Sequence, residues 1–447
     1  MTLTPDRAKA KLLTSGKRPG AVAGPDTTSW APADPPAPDT GVSAGASEGA
    51  ATRDAGAEGT GRRRDPDAGR TTAATVRPGS LAATGSPTVR PPAAAHLSDE
   101  QVAELGRELD AVRDAVLAKR GASDAAYIRR VIRLQRGLEV AGRACLLGAK
   151  NKTSWVAGTA MLTFAKIIEN MEIGHNVLHG QWDWMRDPDI HSTTWEWDFV
   201  TPSTSWQNTH NDMHHRWTNV VGKDRDVGYG VLRMDADEPW EPKHILNPVI
   251  NAGLAPIFEW GIAFYDLEVH KVQSGEKSLA ELRQDLKVVG MKAARQFAKD
   301  FVATPVAAQL VSGSGKQALL GTTVANGLRN IWAHAVIFCG HFPEGAETFT
   351  EEMVEGETRG DWYVRQMIGS SNISGSKFMH FMTGNLSHQV EHHLFPDLPS
   401  NRYAEVAVHV LEICARYGLP YNTGPLHKQV GSAWAKVFRL ALPNKKK

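Results

Sequence analysis

From residue 97 the chain takes on a helical rhythm. In "LSDEQVAELGRELDAVRDAVLAKRG", Val102, Leu105, Leu109, Val112 and Val116 recur at intervals of three and four, the spacing of one apolar helix face. Ser98 followed by Gln101 is a capping-box pattern that starts this helix, and Gly121 closes it. The next stretch is helical in pattern and basic, with Arg129, Arg130, Arg133, Arg136 and Arg143. It reads as a solvated helix face or as a surface resting on anionic headgroups or phosphates.

More apolar stretches follow at residues 153–165, 245–265 (broken by Glu259), 301–315 and 317–343. None is an uncharged run of the roughly 18 to 20 residues that a clean membrane span wants. The last two carry only Lys316, Arg329 and two histidines as ionisable groups, and "SGSGK" between them suits the turn of a helical hairpin. Hydropathy leaves open whether that hairpin lies in a membrane or in a buried core. No repeat of solenoid type organises the chain, and the elements read this way are helical throughout.

Composition changes the picture before residue 95. Trp30 is the only aromatic residue there, and 12 of the chain's 25 prolines sit among Ala, Gly, Thr, Ser and Asp. Such a segment cannot bury enough apolar surface to offset its chain entropy. Residues 1–95 are therefore expected to be a disordered tail and 96–447 the folded domain. The opening residues lack the apolar run of a signal peptide. A net charge of +1 and a pI of about 7.8 give no reason to expect a nucleic-acid partner. Cys145, Cys339 and Cys414 are odd in number and far apart, which fits a reduced cytosolic face rather than a disulfide framework.

Candidate chemistry lies in the histidines. "GHNVLHG" sets His175 and His179 four apart, "NTHNDMHHRW" groups His210, His214 and His215, and "HQVEHH" groups His388, Gln389, His392 and His393. On a helix, residues four apart share a face with Cβ atoms about 5 to 6 Å apart, close enough for two imidazoles to reach one metal or a close metal pair. The doublets His214–His215 and His392–His393 cannot each point one way, which suits two neighbouring metals. Neutral imidazole suits iron, zinc, copper and nickel. One such box is a weak signal that arises by chance or as a surface pair; three in one chain point to a metal centre.

HxxxH, HxxxHH and QxxHH in this order, with "QVEHHLFP" and "FCGHFPEGAETFT", resemble the membrane fatty acid desaturases, and within them an actinobacterial branch acting on acyl-CoA or acyl-lipids. The resemblance covers about residues 125–430. It implies an all-α fold of membrane-crossing helical hairpins with a cytosolic helical cap, located in the cytoplasmic membrane with the active site facing the cytoplasm. It implies membrane lipid around the hairpins and a fatty acyl substrate. Two iron ions would use O2 and two external electrons to insert a cis double bond. The implied metal residues are His175, His179, His210, His214, His215, Gln389, His392 and His393. Gln389 stands where other branches have histidine and is expected to bond to a water or a neighbouring ligand, and His388 looks like an extra. Relatives add a histidine near the cytosolic end of the fourth membrane helix. Asn330, His334 and His341 lie on roughly one face there; His341, just before Phe-Pro, is preferred over His334, with Asn330 and His388 as weaker candidates. No His-Pro-Gly-Gly haem loop and no dinucleotide fingerprint in a strand-to-helix setting occur in the sequence. A separate ferredoxin-type donor with an NAD(P)H reductase is therefore expected.

Three rivals remain. A lipid hydroxylase or ketolase would use the same metal boxes. A soluble ferritin-like desaturase would use Glu-x-x-His pairs, present here as Glu172–His175 and Glu241–His244, although Pro242 makes the second a poor helix interior. A structural zinc protein would want a closed site rich in cysteine. Asp183, Asn211, Asp212 and Glu391, close to the boxes, read equally as acceptors that orient ligating histidines or as solvated positions. The isolated His191, His244, His270, His380, His409 and His427 read as structural. The tryptophans around the second box are expected to serve as an interfacial belt and packing.

Overall fold

The computed structural model describes residues 89–444. The tail expected over 1–95 lies outside the described residues apart from 89–95. That last part is held to the folded body: Arg90 donates to Asp361 at 3.0 Å, to Asp99 at 2.6 Å and to the Leu97 carbonyl at 2.7 Å.

Helices make up most of the described chain. Its one sheet among the described residues is a parallel pair, Asn372–Ser374 with Thr423–Pro425. Asp99–Ala118 is the amphipathic helix that the spacing calls for. Ser98 and Gln101 form the capping box, and Val102, Leu105, Leu109 and Val116 are buried against the helices Arg359–Ile368 and Tyr403–Tyr417. Gly121 opens the next helix, Ala122–Leu147, as its N-cap. That helix crosses Lys152–Ile168 at glycines. A Cβ on Gly158 would lie 2.9 Å from the Gly142 carbonyl oxygen, so the two backbones meet only because both positions lack a side chain.

The hairpin at "SGSGK" is present. Thr304–Ser312 and Gly315–His341 are joined through Gly313 at φ +66. Residues 245–265 form instead a broken series: Pro242–Leu246, Asn247–Leu254, Ala255–Ile257 and Phe258–Asp266, with Pro256 at the break. Among the described residues no helix is long and apolar enough to cross a membrane. The physical reason is the polar content of these helices. Gly315–His341 buries Asn326, Arg329, Asn330 and His334, and Lys152–Ile168 buries Lys166. Each buried charge has partners. Lys166 sits between Asp198 and Asp300, 2.7 Å from both; Arg329 reaches Glu259 at 2.6 Å and Asn170 at 2.8 Å. The outward faces of the neighbouring Asn247–Leu254, Phe258–Asp266 and Thr304–Ser312 are apolar, with Val249, Phe264, Leu310 and Val311 two-thirds exposed or more.

Candidate active site

Each histidine box sits where a helix is locally reshaped. Helix Lys152–Ile168 runs into a π-helical turn, Glu169–His175, and then Asn176–Leu178, so His175 and His179 lie at its inner end. Gln207–His214 is a second π-helical turn, carrying His210 and His214, and His215–Trp217 continues it. π-Helical turns recur at functional sites because the extra residue re-aims the side chains that follow. The third box lies on Gln389–Leu394. It is approached through Gly384 at φ +68, where a Cβ would come within 2.2 Å of the Met171 carbonyl oxygen; the left-handed turn and the close approach both call for glycine.

Eight box residues and His341 come together. The ligand-capable atoms of His175, His179, His210 and His392 lie within 4.8 Å of one another, and those of His214, His341 and His393 form a second such group. One of the two doublets divides between the groups. His392 joins the first group and His393 the second, their rings 5.5 Å apart at 84°. His215 stands between the groups, 4.6 Å from His179 and 4.3 Å from His393 by ring centroid.

Hydrogen bonds fix several tautomers. Tyr403 donates to the Phe395 carbonyl, so its oxygen accepts from Nδ1–H of His392 at 3.1 Å. Nδ1–H of His393 donates to Gln366 Oε1 at 3.1 Å, while the amide nitrogen of Gln366 donates to the His215 carbonyl. His214 Nδ1 donates to Asp224 at 3.0 Å. In His393 this leaves Nε2 buried and unpartnered for a metal, and in His392 it leaves Nε2 as the acceptor 3.2 Å from His175 Nε2. Burial, with neighbouring imidazoles, pushes His215, His392 and His393 well below the usual histidine range, and burial takes His210 down to about 4. Burial also disfavours charge on His214, but Asp224 and Asp226 outweigh it and hold the ring up to about 9.

These residues fit a metal pair. Nε2 of His179, His210, His215 and His393, Nδ1 of His215 and His341, and Oε1 of Gln389 are buried without a hydrogen-bond partner. An unsatisfied buried polar atom costs about 1 to 3 kcal/mol. So many in one place are tolerated where something coordinates them. An all-imidazole donor set suits iron, zinc, copper or nickel.

A family model described as "Fatty acid desaturase" matches residues 153–425. The chain is 51% identical over 352 residues to the NADPH-dependent stearoyl-CoA 9-desaturase of Mycobacterium tuberculosis, covering 78% of this chain and 82% of that protein. It is 24% identical over 278 residues to the sn-1 linoleoyl-lipid 6-desaturase of Synechocystis, covering 61% of this chain and 76% of the other. No solved structure matches the chain. This chain belongs to the fatty acid desaturase family.

In this desaturase the weaker candidates part company. His341 ends its helix, as expected before Phe-Pro, and joins the second group. His334 does not: its Nε2 meets Asn251 at 3.1 Å and its ring stacks on Phe338. Asn330 donates to the Pro256 carbonyl at 2.9 Å. His388 stacks on His380 at 4.7 Å, outside both groups. Gln389 does bond to a neighbour in the site, with its amide nitrogen 2.9 Å from His341 Nε2. The ferritin-like pairs do not meet. Glu172 accepts from Tyr127, Asn385 and Ser400, and His244 Nδ1 accepts from the Glu241 backbone.

Of the four ambiguous neighbours, none bonds to a grouped histidine. Asp183 holds Ser192, Asn211 donates to the Leu178 carbonyl, Asp212 pairs with Arg216 at the surface, and Glu391 accepts from Asn372 and Tyr421. The orienting groups are Asp224, Gln366 and Tyr403, with Thr218 near His393. Only Asp224, in "DRD" ten residues after His214, carried a local signal. Trp197 and Trp206 are buried and pack on each other at 4.9 Å, as the packing part of the expectation has it, and not as an interfacial belt. With Met171, Phe199, Phe258 and Ile337 they wall a narrow pocket, partly open to solvent, which reaches His175 and His210.

Proposed function

We propose that this desaturase acts on a long saturated acyl chain carried on CoA, inserting a cis double bond at the middle of the chain, with two iron ions held by the grouped histidines. The single observation that carries this reading is the apolar cavity ending on His175 and His210 of a buried two-group imidazole cluster. The mycobacterial relative, named for stearoyl-CoA and the 9-position, supports the substrate class.

Desaturation balances as one CH2–CH2 unit, O2, two electrons and two protons giving one CH=CH unit and two waters. Iron at the two positions would supply the activation of O2 strong enough to take hydrogen from an unactivated methylene. The chain's own residues do the rest. Trp197, Phe199, Trp206, Phe258, Ile262 and Ile337 line the cavity, excluding water and holding a methylene pair beside His175 and His210. Gln366 and Tyr403 keep protons on the Nδ1 atoms of His393 and His392, so that Nε2 of each is left deprotonated, and Asp224 holds the His214 ring through its Nδ1–H.

The electrons come from a separate ferredoxin-type donor fed by an NAD(P)H reductase. The NADPH dependence in the name of the mycobacterial relative and the lack of a haem or dinucleotide motif in these 447 residues support this. The enzyme sits in the cytoplasmic membrane with its site toward the cytoplasm. Supporting this are the exposed apolar faces of Asn247–Leu254, Phe258–Asp266 and Thr304–Ser312 and the pairing of the charges buried behind them. The exposed Arg130, Arg133 and Arg136 suit anionic headgroups.

The test is product analysis with purified chain, ferrous iron, stearoyl-CoA, NADPH, ferredoxin and reductase. A mono-unsaturated product supports the reading, and a hydroxylated or keto product would overturn it. Turnover with NADPH and no added protein would refute the separate donor. Release of the chain from membranes by alkaline carbonate would refute the integral placement.

A further inference from the structure

The loop after the second box, residues 219–230, returns to that box and brings two carboxylates to it. Asp224 is the loop's anchor. It accepts from the Asn219 backbone at 2.7 Å, from the Asp226 backbone at 2.9 Å and from His214 Nδ1 at 3.0 Å. Those bonds hold Asp226 in place beside the π-helical turn. One oxygen of Asp226, Oδ2, lies 3.4 Å from His214 Nδ1 and 3.8 Å from His210 Nδ1. The two rings stack 5.0 Å apart at 25°, so one carboxylate faces the same edge of both. Tyr265 bonds to Asp226 from the far side, and the Arg225 guanidinium covers the Tyr265 ring at 4.6 Å.

The two histidines belong to different groups, His210 with His175, His179 and His392, and His214 with His341 and His393. The orienting contacts of Tyr403 and Gln366 each reach one histidine of one group. Asp226 alone of these groups lies near both rings, at ion-pair distance from each and beyond hydrogen-bond range of His210. Among the described residues no other acceptor stands at His210 Nδ1, and its Nε2 is buried and unpartnered. A carboxylate at Nδ1 orients an imidazole and raises its basicity as a ligand.

We infer that Asp226 is a positioning residue that couples the two metal positions, orienting His210 and His214 together for ligation through Nε2. This rests on the metal reading above. Removing it loosens one ligand of each metal at once, whereas removing Tyr403's hydroxyl loosens a ligand of one.

The experiment compares full-length Asp226→Asn, Asp226→Glu, Tyr403→Phe and Asp212→Asn with the unchanged chain, each loaded with ferrous iron in detergent. Iron per chain, the rate of release to a chelator and the Mössbauer spectrum are read, with circular dichroism to confirm folding. Two irons per unchanged chain are the precondition, and their absence would sink the metal reading and this inference with it. In Asp226→Asn, both release phases should quicken, by about 10- to 100-fold, and both iron signals should shift. Tyr403→Phe should move one, Asp212→Asn neither, and Asp226→Glu should recover part of the retention. Asp226→Asn with unchanged release, or with one phase changed, overturns the inference while leaving the metal reading intact.

Discussion

The two imidazole groups are built from the same residue type and differ in what surrounds them. The four-histidine group faces the cavity. His175 and His210 line it, and His175 and His210 pack against Trp206 at 5.2 and 4.4 Å. The three-histidine group faces polar protein. His214 rests on Asp224, His393 on Gln366 and Thr218, and His341 on Gln389. On the proposed reading, the group at the largely apolar pocket meets the substrate, and the other is held mainly by hydrogen bonds from its neighbours.

The largest effects come from removing one ligand in either group. His179→Ala, His214→Ala and His392→Ala should each abolish desaturation and lower iron content, because the lost nitrogen has no substitute within the group. Turnover of purified protein and metal analysis check this, and normal turnover in any one of them would break its assignment. His341→Ala should lose iron from the three-histidine group, while His334→Ala and His388→Ala keep both. Full iron in His341→Ala with loss in His334→Ala would reverse the choice between them.

How far this site could be read from sequence depends on distance along the chain. The boxes declare themselves because imidazoles four apart share a helix face, and Ser98 with Gln101 marks a helix start by local bonds alone. The placing of His392 and His393 in different groups followed from adjacency. Gln366 and Tyr403 carry no local mark: they meet His393 and His392 from 27 and 11 residues away, through contacts that only the fold creates. The apolar helices were hard to read for the opposite reason. Lys166 and Arg329 interrupt the runs, and their partners Asp198, Asp300 and Glu259 lie far off in sequence, so paired charges look in sequence like exposed ones. The extended stretch at 245–265 failed as one helix because Pro256 breaks it.

A smaller effect sharpens the contrast between the groups' supports. Gln366→Leu removes one of the two acceptors at His393 Nδ1, leaving Thr218, and the donor to the His215 carbonyl. Metal affinity at the three-histidine position should fall by about 10- to 100-fold, with the four-histidine position retained. Competition with a chelator of graded strength reads this as one weakened equivalent of two. Two equally weakened equivalents would mean that the polar support serves both groups, and the division drawn above would fail.

The smallest effect is expected on the pocket side, and it separates placement of substrate from retention of metal. Ile337 and Ile262 line the cavity and make no hydrogen bond to a histidine. Ile337→Phe adds bulk where the acyl chain would run, so it should leave iron content unchanged and move preference toward shorter acyl-CoAs. One methylene in an apolar pocket is worth about 1 to 3 kcal/mol of discrimination. The ratio of kcat/KM for a chain two carbons shorter over stearoyl-CoA should therefore rise by about tenfold or more. The measurement is a competition between the two acyl-CoAs with products resolved by mass, alongside iron analysis. If Ile337→Phe loses iron, the cavity wall also supports the metal, and the two sides are not independent. If iron and chain-length preference both stay as they were, the acyl chain runs elsewhere, and this cavity is not the side of the four-histidine group that substrate reaches.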